Sequence, residues 1–339
     1  MKVMPTLRLI TAEDFLASRE ENPPWIMRPF LMRGSSLMLY GRQGIGKSYL
    51  VIQLAYSFIS GKPWLGFPID ETGPVIYLPF DMAVEETRRL IERAESEGMD
   101  FRGQLYIPVP EQNGGDQIAP FDIYKQEKEL EDLVRQIQPV AVILDTADDG
   151  YETPKHKSVT EVAREVVKMY RRACGRAAFV FIRHQRKKPA WKGEKEEEDD
   201  PDAFSGPKEW EAVASSSLQF LYTPKSAPYY RLKVRKTRID KSPVQEIGLS
   251  RTKQGFFEPL NLHVQLLSYW PGCVPPQERA ELLARVQSMN DVFRDVAERT
   301  GSTFEAVKKA YQRACDQGVE FPWPGLLRKK EEVGTGGEV

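Results

Sequence analysis

The sequence predicts an α/β fold in which a mainly parallel β-sheet is covered by helices and ends in a β meander. Between about residues 36 and 260, short apolar runs of strand length alternate with stretches whose apolar residues recur at helical spacing. A glycine-rich segment, GRQGIGKS, joins the first of these runs to the first helical stretch. The last three apolar runs are separated by turns alone, which is typical of antiparallel strands.

The parallel part of the sheet is predicted from apolar runs that are separated by helical patterns. These strands span residues 36–40, 75–80, 140–144 and 178–182. The helices between them are predicted over residues 48–60, 85–97 and 159–174. The run at 140–144 is apolar without alternation, which indicates a strand that is buried on both faces. The meander follows from strands at residues 216–222, 229–234 and 244–249.

Changes in composition along the chain predict the domain boundaries. Residues 1–35 form an N-terminal segment, residues 36–262 the core, residues 263–330 a C-terminal helical unit and residues 331–339 a disordered tail. Helical patterns in the C-terminal unit cover residues 278–287, 290–299 and 304–315. Residues 186–202 are first basic and then mainly acidic, so they predict a long mobile loop.

The composition excludes several classes of protein. The 339 residues include 48 Lys and Arg against 49 Asp and Glu, which excludes a globally basic nucleic-acid binder but allows local basic surfaces. Cys174, Cys273 and Cys315 lie far apart, and with only three histidines the chain has no metal-ligand spacing. The sequence has no apolar run of transmembrane length and no signal-peptide pattern. We therefore expect a cytoplasmic protein without a membrane partner.

The segment GRQGIGKS matches the phosphate-binding loop G-x-x-x-x-G-K-[ST] at every specified position. Its glycines let backbone N–H groups turn toward a phosphate, Lys47 can reach the β- and γ-phosphates, and the Ser48 hydroxyl can coordinate Mg²⁺. The following helix would present its N-terminus to the anion. We expect ATP and Mg²⁺ to bind here, with nucleotide contacts from Gly41, Arg42, Gln43, Gly44, Ile45, Gly46, Lys47, Ser48 and Tyr49.

Two aspartates follow predicted strands. Asp145 ends the run at 140–144, where its carboxylate can hold Mg²⁺ together with Ser48. Asp81 ends the run at 75–80, and a carboxylate on a strand next to the phosphate loop could orient or deprotonate the attacking water. Asp81 could equally be the N-cap of the following helix, because aspartate is a favoured cap. Glu85 and Glu86 are reserve candidates for the base.

Three further polar residues are candidates for catalysis. His184 follows the strand at 178–182 and could sense the γ-phosphate, or it could be a structural histidine. Lys236 and Arg238 end a strand of the meander. At a subunit edge these two cations could reach the triphosphate of a neighbouring subunit, as an arginine finger does. Alternatively, they are only the solvated end of a strand.

These elements in this order resemble the RecA-like ATPase core of hexameric replicative helicases, most closely the plasmid RepA helicases and related phage or mobile-element ATPases. The resemblance covers about residues 23–258. It rests on the phosphate loop and on five further segments, namely Pro24-Trp25, VIYLPF followed by Asp81, Leu144-Asp145-Thr146, His184-Gln185-Arg186-Lys187 and Lys236-Thr237-Arg238. It implies an ATPase that works as an oligomer, expected to be a hexamer, with Lys236 and Arg238 supplying the trans-acting finger. It also implies a DNA-binding role for residues 151–157 and 186–192, which mix cations with an aromatic residue.

The sequence departs from the family pattern at two places. Asp81 stands where the family has glutamate, and its shorter side chain can misplace the water. The family's Arg-Gly-Ser is replaced by Ser205-Gly206-Pro207. Two functions therefore remain open: a Mg²⁺-dependent ATPase motor on single-stranded DNA, related to RepA helicases, and a nucleotide-switched DNA-binding or assembly protein with little hydrolysis.

The C-terminal unit lies outside this resemblance. Its last two helical patterns, joined through Gly301, resemble a helix-turn-helix. The second helix would expose a set of polar residues to DNA, namely Lys308, Lys309, Gln312 and Arg313. Short helical units of this kind also serve other purposes, so DNA binding by this unit is a hypothesis.

Overall fold

The structure of the chain, a computed structural model, describes residues 9–17, 24–108, 122–147, 158–185, 209–222, 230–238, 246–259, 288–300 and 303–316. The helices are α1 (Ala12–Ala17), α2 (Lys47–Ser60), α3 (Val84–Ser96), α4 (Ile123–Ile137), α5 (Val159–Cys174), α6 (Glu209–Val213), α7 (Met289–Thr300) and α8 (Phe304–Asp316). The strands are β1 (Trp25–Met27), β2 (Leu31–Met32), β3 (Ser36–Gly41), β4 (Val75–Pro79), β5 (Leu105–Tyr106), β6 (Ala141–Asp145), β7 (Ala178–His184), β8 (Ser216–Tyr222), β9 (Tyr230–Thr237), β10 (Glu246–Arg251) and β11 (Phe257–Pro259).

Among the described residues, nine strands form one sheet in the order β5-β4-β6-β7-β3-β8-β9-β10-β11. The pairs from β5 through to β8 are parallel. The pairs from β8 through to β11 are antiparallel. The predicted α/β class, with a mainly parallel sheet that ends in a meander, is confirmed. Strands β1 and β2 form a separate two-stranded sheet.

Helices cover both faces of the sheet, which explains the unbroken apolar runs in its central strands. In β3, Leu37 and Leu39 belong to the hydrophobic cluster that contains α2 and α3, whereas Met38 and Tyr40 belong to the cluster that contains α4, α5 and α6. Successive side chains in a strand point to opposite faces, so each run supplies two cores. No helix in the described part of the chain is long and apolar enough to cross a membrane.

The strand order corrects one expectation about Asp81. Strand β4, which Asp81 follows, is not next to the strand of the phosphate loop, because β6 and β7 lie between β4 and β3. Asp81 is also not the N-cap of α3, since that position is Ala83, whose backbone N–H donates to Glu86 Oε2 at 3.0 Å. The helix-cap explanation of Asp81 is therefore wrong, and its side chain is available for another role.

Several elements escaped the sequence patterns. Helix α4 was not predicted, although Ile123, Leu130, Val134 and Ile137 recur at helical spacing and pack on one cluster. Its N-terminus is nevertheless clear in the structure, where the backbone N–H of Tyr124 donates to Asp122 Oδ1 at 3.0 Å. The short elements α1, α6, β1, β2, β5 and β11 were not predicted either.

Both ends of the described chain contribute to the main core. In the N-terminal segment, Ile26, Phe30 and Leu31 are fully buried in the same cluster as α2. In the C-terminal unit, α7 and α8 add Val292 and Val307 to that cluster. The two helices also contact each other through the Phe293 ring, whose centroid lies 5.9 Å from that of Phe304 and 5.2 Å from that of Tyr311.

Candidate functional site

A cleft of about 400 Å³ opens at the carboxyl edge of the parallel strands. The ends of β3, β4, β6 and β7 meet at this edge, where the side chains that follow parallel strands converge. The cleft is lined by Gln43, Gly44, Gly46, Lys47, Ser48, Tyr49, Asp81, Met82, Glu86, Arg89, Leu90, Arg93, Asp145, Thr146, His184 and Arg251. Most residues proposed from the sequence therefore share one cavity, although they are spread over about two thirds of the core.

The loop between β3 and α2 needs glycine at three positions, Gly41, Gly44 and Gly46. Gly44 and Gly46 have φ angles of 77° and 104°, in the region that residues with a Cβ rarely enter. At Gly41 a Cβ would lie 2.4 Å from the carbonyl oxygen of Phe220 on β8. The loop is thus packed tightly against its neighbours while its N–H groups lie at the N-terminus of a 14-residue helix, as a phosphate cradle requires.

Lys47 is directed into the loop. Its side-chain ammonium donates to the carbonyl oxygens of Gly41 at 3.1 Å and Arg42 at 2.8 Å, and its Nζ lies 3.3 Å from His184 Nδ1. The residue is only 5% exposed, so its charge acts in a poorly solvated place. A phosphate in the cradle would meet this cation at the floor of the cleft.

Ser48 and Asp145 form the candidate Mg²⁺ site. The Asp145 carboxylate is buried and accepts hydrogen bonds from Ser48 and from the Tyr77 hydroxyl, the latter at 2.8 Å. Burial raises the pKa of Asp145, while the hydrogen bonds from Ser48 and Tyr77 and the charge of Lys47 act in the opposite direction. One hydroxyl and one carboxylate leave most coordination positions to phosphate and water, which suits Mg²⁺. The residues present therefore fit the ion.

Asp81 and His184 contact each other at the mouth of the cleft. His184 Nε2 lies 3.3 Å from Asp81 Oδ2, and the two side chains are 22% and 39% exposed. Because the ammonium of Lys47 can only donate, Nδ1 of His184 accepts and Nε2 carries the proton that faces Asp81. The imidazole ring of His184, the sensor candidate, thus connects Asp81, the base candidate, to Lys47 of the phosphate loop. The backbone N–H of Asp81 also donates to the carbonyl oxygen of Asp145 at 3.2 Å.

Three arginines of the cleft were missed by the sequence analysis. Arg89 and Arg93 lie on α3, and Arg93 hydrogen-bonds to the hydroxyl of Tyr49. Arg251 ends β10, and its guanidinium carbon lies 5.4 Å from the centroid of the Tyr49 ring. No local pattern distinguishes these arginines from surface cations. Their position depends on long-range packing, which brings α3 with Arg89 and Arg93, and the end of β10 with Arg251, to the phosphate loop.

Lys236 and Arg238 lie far from this cleft in the same chain. Lys236 pairs with Ser217, and Ser217 with Met38, which puts both cations near the amino end of β3. Lys236 donates to the carbonyl oxygens of Glu211 and Ala212 on α6, and Arg238 also donates to Ala212. The sequence-based role for these cations required a neighbouring subunit, and that role stays a prediction.

The comparisons with known proteins bear on the part of the chain that contains the phosphate loop. A family model described as an AAA domain matches residues 4–190. The chain belongs to the AAA domain family. The coarse prediction, a RecA-like P-loop ATPase core, is confirmed at this level. A solved structure of a KaiC-like protein from Pyrococcus horikoshii OT3 is 12% identical, with a TM-score of 0.45 over 69% of this chain and 93% of that chain. No curated protein matches this AAA domain chain.

Several predicted features lie outside the described residues. They are the DNA-binding segments at 151–157 and 186–192, the helical pattern at 278–287, Gly301, and the tail at 331–339. In α8, Lys308, Lys309 and Gln312 are exposed and Val307 is buried, whereas the Arg313 side chain is not described. The assignment of α7 and α8 as a helix-turn-helix stays a prediction.

Proposed function

We propose that this AAA domain protein is a Mg²⁺-dependent ATPase motor that acts on single-stranded DNA as an oligomeric ring, related to the RepA helicases. One observation carries the proposal beyond nucleotide binding. Lys47, His184 and Asp81 form a continuous chain of contacts along the candidate phosphate site. A carboxylate held beside a phosphate-binding lysine can act on a water molecule that attacks the γ-phosphate.

Each residue of the cleft has a defined task in this proposal. The loop N–H groups and Lys47 bind the β- and γ-phosphates, while Ser48 and Asp145 hold Mg²⁺, which neutralises the charge that develops on the phosphates. Asp81 orients the attacking water and accepts its proton. His184 contacts both Lys47 and Asp81, so it can sense whether the γ-phosphate is present and transmit that to the segment that follows β7.

The connection to DNA is supported by sheet topology. Strands β6 and β7 are neighbours, and both end at the cleft. The segments that follow them in the chain, at 151–157 and 186–192, mix cations with one aromatic residue each, Tyr151 and Trp191. Cations can neutralise the DNA backbone while aromatic rings stack on bases. Nucleotide-dependent changes at Asp145 and His184 would therefore act on the two segments proposed to bind single-stranded DNA.

The ring is supported by the position of Lys236 and Arg238. In one chain neither cation lines the cleft, and both side chains donate to carbonyl oxygens of α6 instead. In a head-to-tail ring, one face of each subunit meets a different face of the next, so such a cation can reach a neighbour's site. A hexamer is the expected closure.

The decisive experiment measures the ATPase rate and the particle mass together, with and without single-stranded DNA. The motor predicts hydrolysis that DNA strongly stimulates, in particles of several subunits. The alternative, a nucleotide-switched DNA-binding or assembly protein, is favoured by Asp81 in place of glutamate and predicts a low rate that DNA does not change. A monomer that hydrolyses ATP at full rate would contradict the trans-acting role of Lys236 and Arg238.

A further inference from the structure

Tyr77 is a fully buried polar side chain next to the candidate Mg²⁺ site, within an apolar strand where its sequence context gives it no role. Its hydroxyl donates to Asp145 Oδ2 at 2.8 Å. A phenol has one hydrogen to donate, and here it goes to the Asp145 carboxylate. Ser48 hydrogen-bonds to the same carboxylate.

The contact follows from the register of two neighbouring strands. Tyr77 pairs with Ile143, and Pro79 pairs with Asp145, so Tyr77 and Asp145 are diagonal neighbours on one face of the sheet. This face packs on α2, the helix that begins at the phosphate loop. A one-residue change of register would send the hydroxyl to the other face. The hydrogen bond is therefore built into the central sheet, which is rigid compared with a loop.

We propose that Tyr77 is a positioning residue for Mg²⁺, which fixes the orientation of the Asp145 carboxylate through its hydroxyl. A carboxylate can rotate, and a buried one takes the orientation that its donors impose. Because Tyr77 holds Oδ2 from the β4 side, the carboxylate stays directed toward Ser48 and the phosphate loop. Residues that orient a metal ligand in this way commonly change metal affinity by ~10- to 100-fold when they are removed. The proposal rests on the assignment of Ser48 and Asp145 as the Mg²⁺ site.

A purely structural role for Tyr77 makes a different prediction. In that case the hydroxyl would only satisfy a buried carboxylate, and its removal would lower the melting temperature without changing the response to Mg²⁺. The positioning role predicts a change in the Mg²⁺ response that is separate from stability. The test therefore measures metal dependence of binding and does not rely on turnover.

The test uses Tyr77→Phe, which removes one oxygen atom and keeps the ring. Calorimetry would measure binding of a non-hydrolysable ATP analogue to the full chain over a series of Mg²⁺ concentrations. We expect affinity without Mg²⁺ to equal that of the wild type and the Mg²⁺ concentration at half effect to rise ~10-fold or more. Tyr170→Phe is the matched control, because it removes another fully buried phenol, on α5 at the opposite face of the sheet. It should leave the Mg²⁺ response unchanged.

A third variant, Asp145→Asn, separates this inference from the function on which it rests. If Asp145→Asn leaves the Mg²⁺ response unchanged, the metal site itself is wrongly assigned. If Asp145→Asn changes it and a folded Tyr77→Phe protein does not, the site stands and the role of Tyr77 is overturned. A Tyr77→Phe protein that fails to fold would also overturn it, because the hydroxyl would then serve the fold.

Discussion

The carboxyl ends and the amino ends of the strands form two opposite edges of the central sheet. At each edge a lysine donates hydrogen bonds to backbone carbonyl oxygens, yet the two lysines have different surroundings. At the carboxyl edge, Lys47 donates to Gly41 and Arg42 in the phosphate loop, beside the carboxylates of Asp81 and Asp145. At the amino edge, Lys236 donates to the last turn of α6, which also accepts from Arg171 and Arg238. One edge is a lined cleft with charges of both signs, and the other is a cluster dominated by cations.

The cations of the amino edge lower one another's pKa values, and the Glu211 carboxylate acts on Lys236 in the opposite direction. Burial and the charge of Arg238 lower the pKa of Lys236, and the same two causes lower that of Arg171. Such shifts mean that the cations repel one another and that a nearby anion would be stabilised. The difference teaches that the carboxyl edge contains the chemistry for binding and Mg²⁺ within one chain, whereas the described residues of the amino edge place one carboxylate, that of Glu211, against the three cations Lys236, Arg171 and Arg238.

Lys47→Ala should have the largest effect, because it removes the cation at the floor of the cleft. We expect a folded protein with no measurable affinity for a non-hydrolysable ATP analogue, since a charged hydrogen-bonding group of the phosphate site is lost. Calorimetric titration measures the affinity. Lys62→Ala is the control, because Lys62 lies beyond the end of α2 over the ring of Tyr56 and away from the loop. Unchanged affinity in folded Lys47→Ala protein would refute the phosphate-loop assignment.

The features that could be predicted from the sequence are those that local residue patterns specify. Helix α5 and strand β8 have the predicted bounds, because apolar spacing and turn residues define them locally. The phosphate loop was found because its glycines and Lys47 lie within eight consecutive residues. The order of the strands was not predicted, so Asp81 was expected on a strand adjacent to the loop.

The partners that depend on long-range register could not be predicted. Tyr77 and Asp145 are 68 positions apart, and their contact depends on how β4 pairs with β6. Arg251 contacts Tyr49 because the meander packs against the N-terminus of α2. Strand order and register arise from packing of the whole sheet, which no short segment of sequence specifies.

Arg238→Ala should have the next largest effect and would act on turnover alone. A finger supplied by a neighbour stabilises charge in the transition state, so we expect affinity for ATP to be nearly unchanged and kcat to fall ~10³-fold or more. Steady-state ATPase assays at saturating ATP measure the change. Lys233→Ala on the same strand is the control and should keep most of the activity.

Mixing two inactive variants tests whether Arg238 acts between subunits. Lys47→Ala protein cannot bind nucleotide but still carries Arg238, so adding it to Arg238→Ala protein should restore part of the activity in mixed rings. Mass measurements establish that mixed particles form. If mixed particles form and their activity never exceeds the sum of the separate variants, the amino-edge cations do not act in trans. Lys236 and Arg238 would then serve only α6.

Asp81→Asn should have an intermediate effect at the carboxyl edge. If Asp81 accepts a proton from the attacking water, the variant should bind nucleotide normally and turn over ~10²-fold more slowly. Glu85→Gln is the control, because Glu85 is exposed and pairs with Arg88 and Arg89 on its own helix. Wild-type turnover in Asp81→Asn protein would show that Asp81 is not the general base. Glu86, which also lines the cleft, would then be the candidate for that role.

Arg171→Met should have the smallest effect and should appear in stability only. Arg171 connects α5 to β3 and α6, because it donates to the Ser36 hydroxyl at 2.9 Å and to the carbonyl oxygen of Val213 at 2.5 Å. Loss of hydrogen bonds from a half-buried cation should cost about 1–2 kcal/mol of unfolding free energy, partly offset by relief of its repulsion with Arg238. That corresponds to a fall of roughly 2–6 °C in melting temperature for the Arg171→Met protein.

Arg135→Met is the control. Arg135 forms exposed pairs with Glu131 and Asp132 on α4, so its loss should change stability by less than about 0.5 kcal/mol. Scanning calorimetry and analogue binding measured on the same samples distinguish the two edges. Arg171→Met should lower the melting temperature and leave the affinity for the analogue unchanged. Lys47→Ala should abolish the affinity and leave the melting temperature nearly unchanged. A loss of affinity in Arg171→Met protein would mean that the two edges are not independent within one chain.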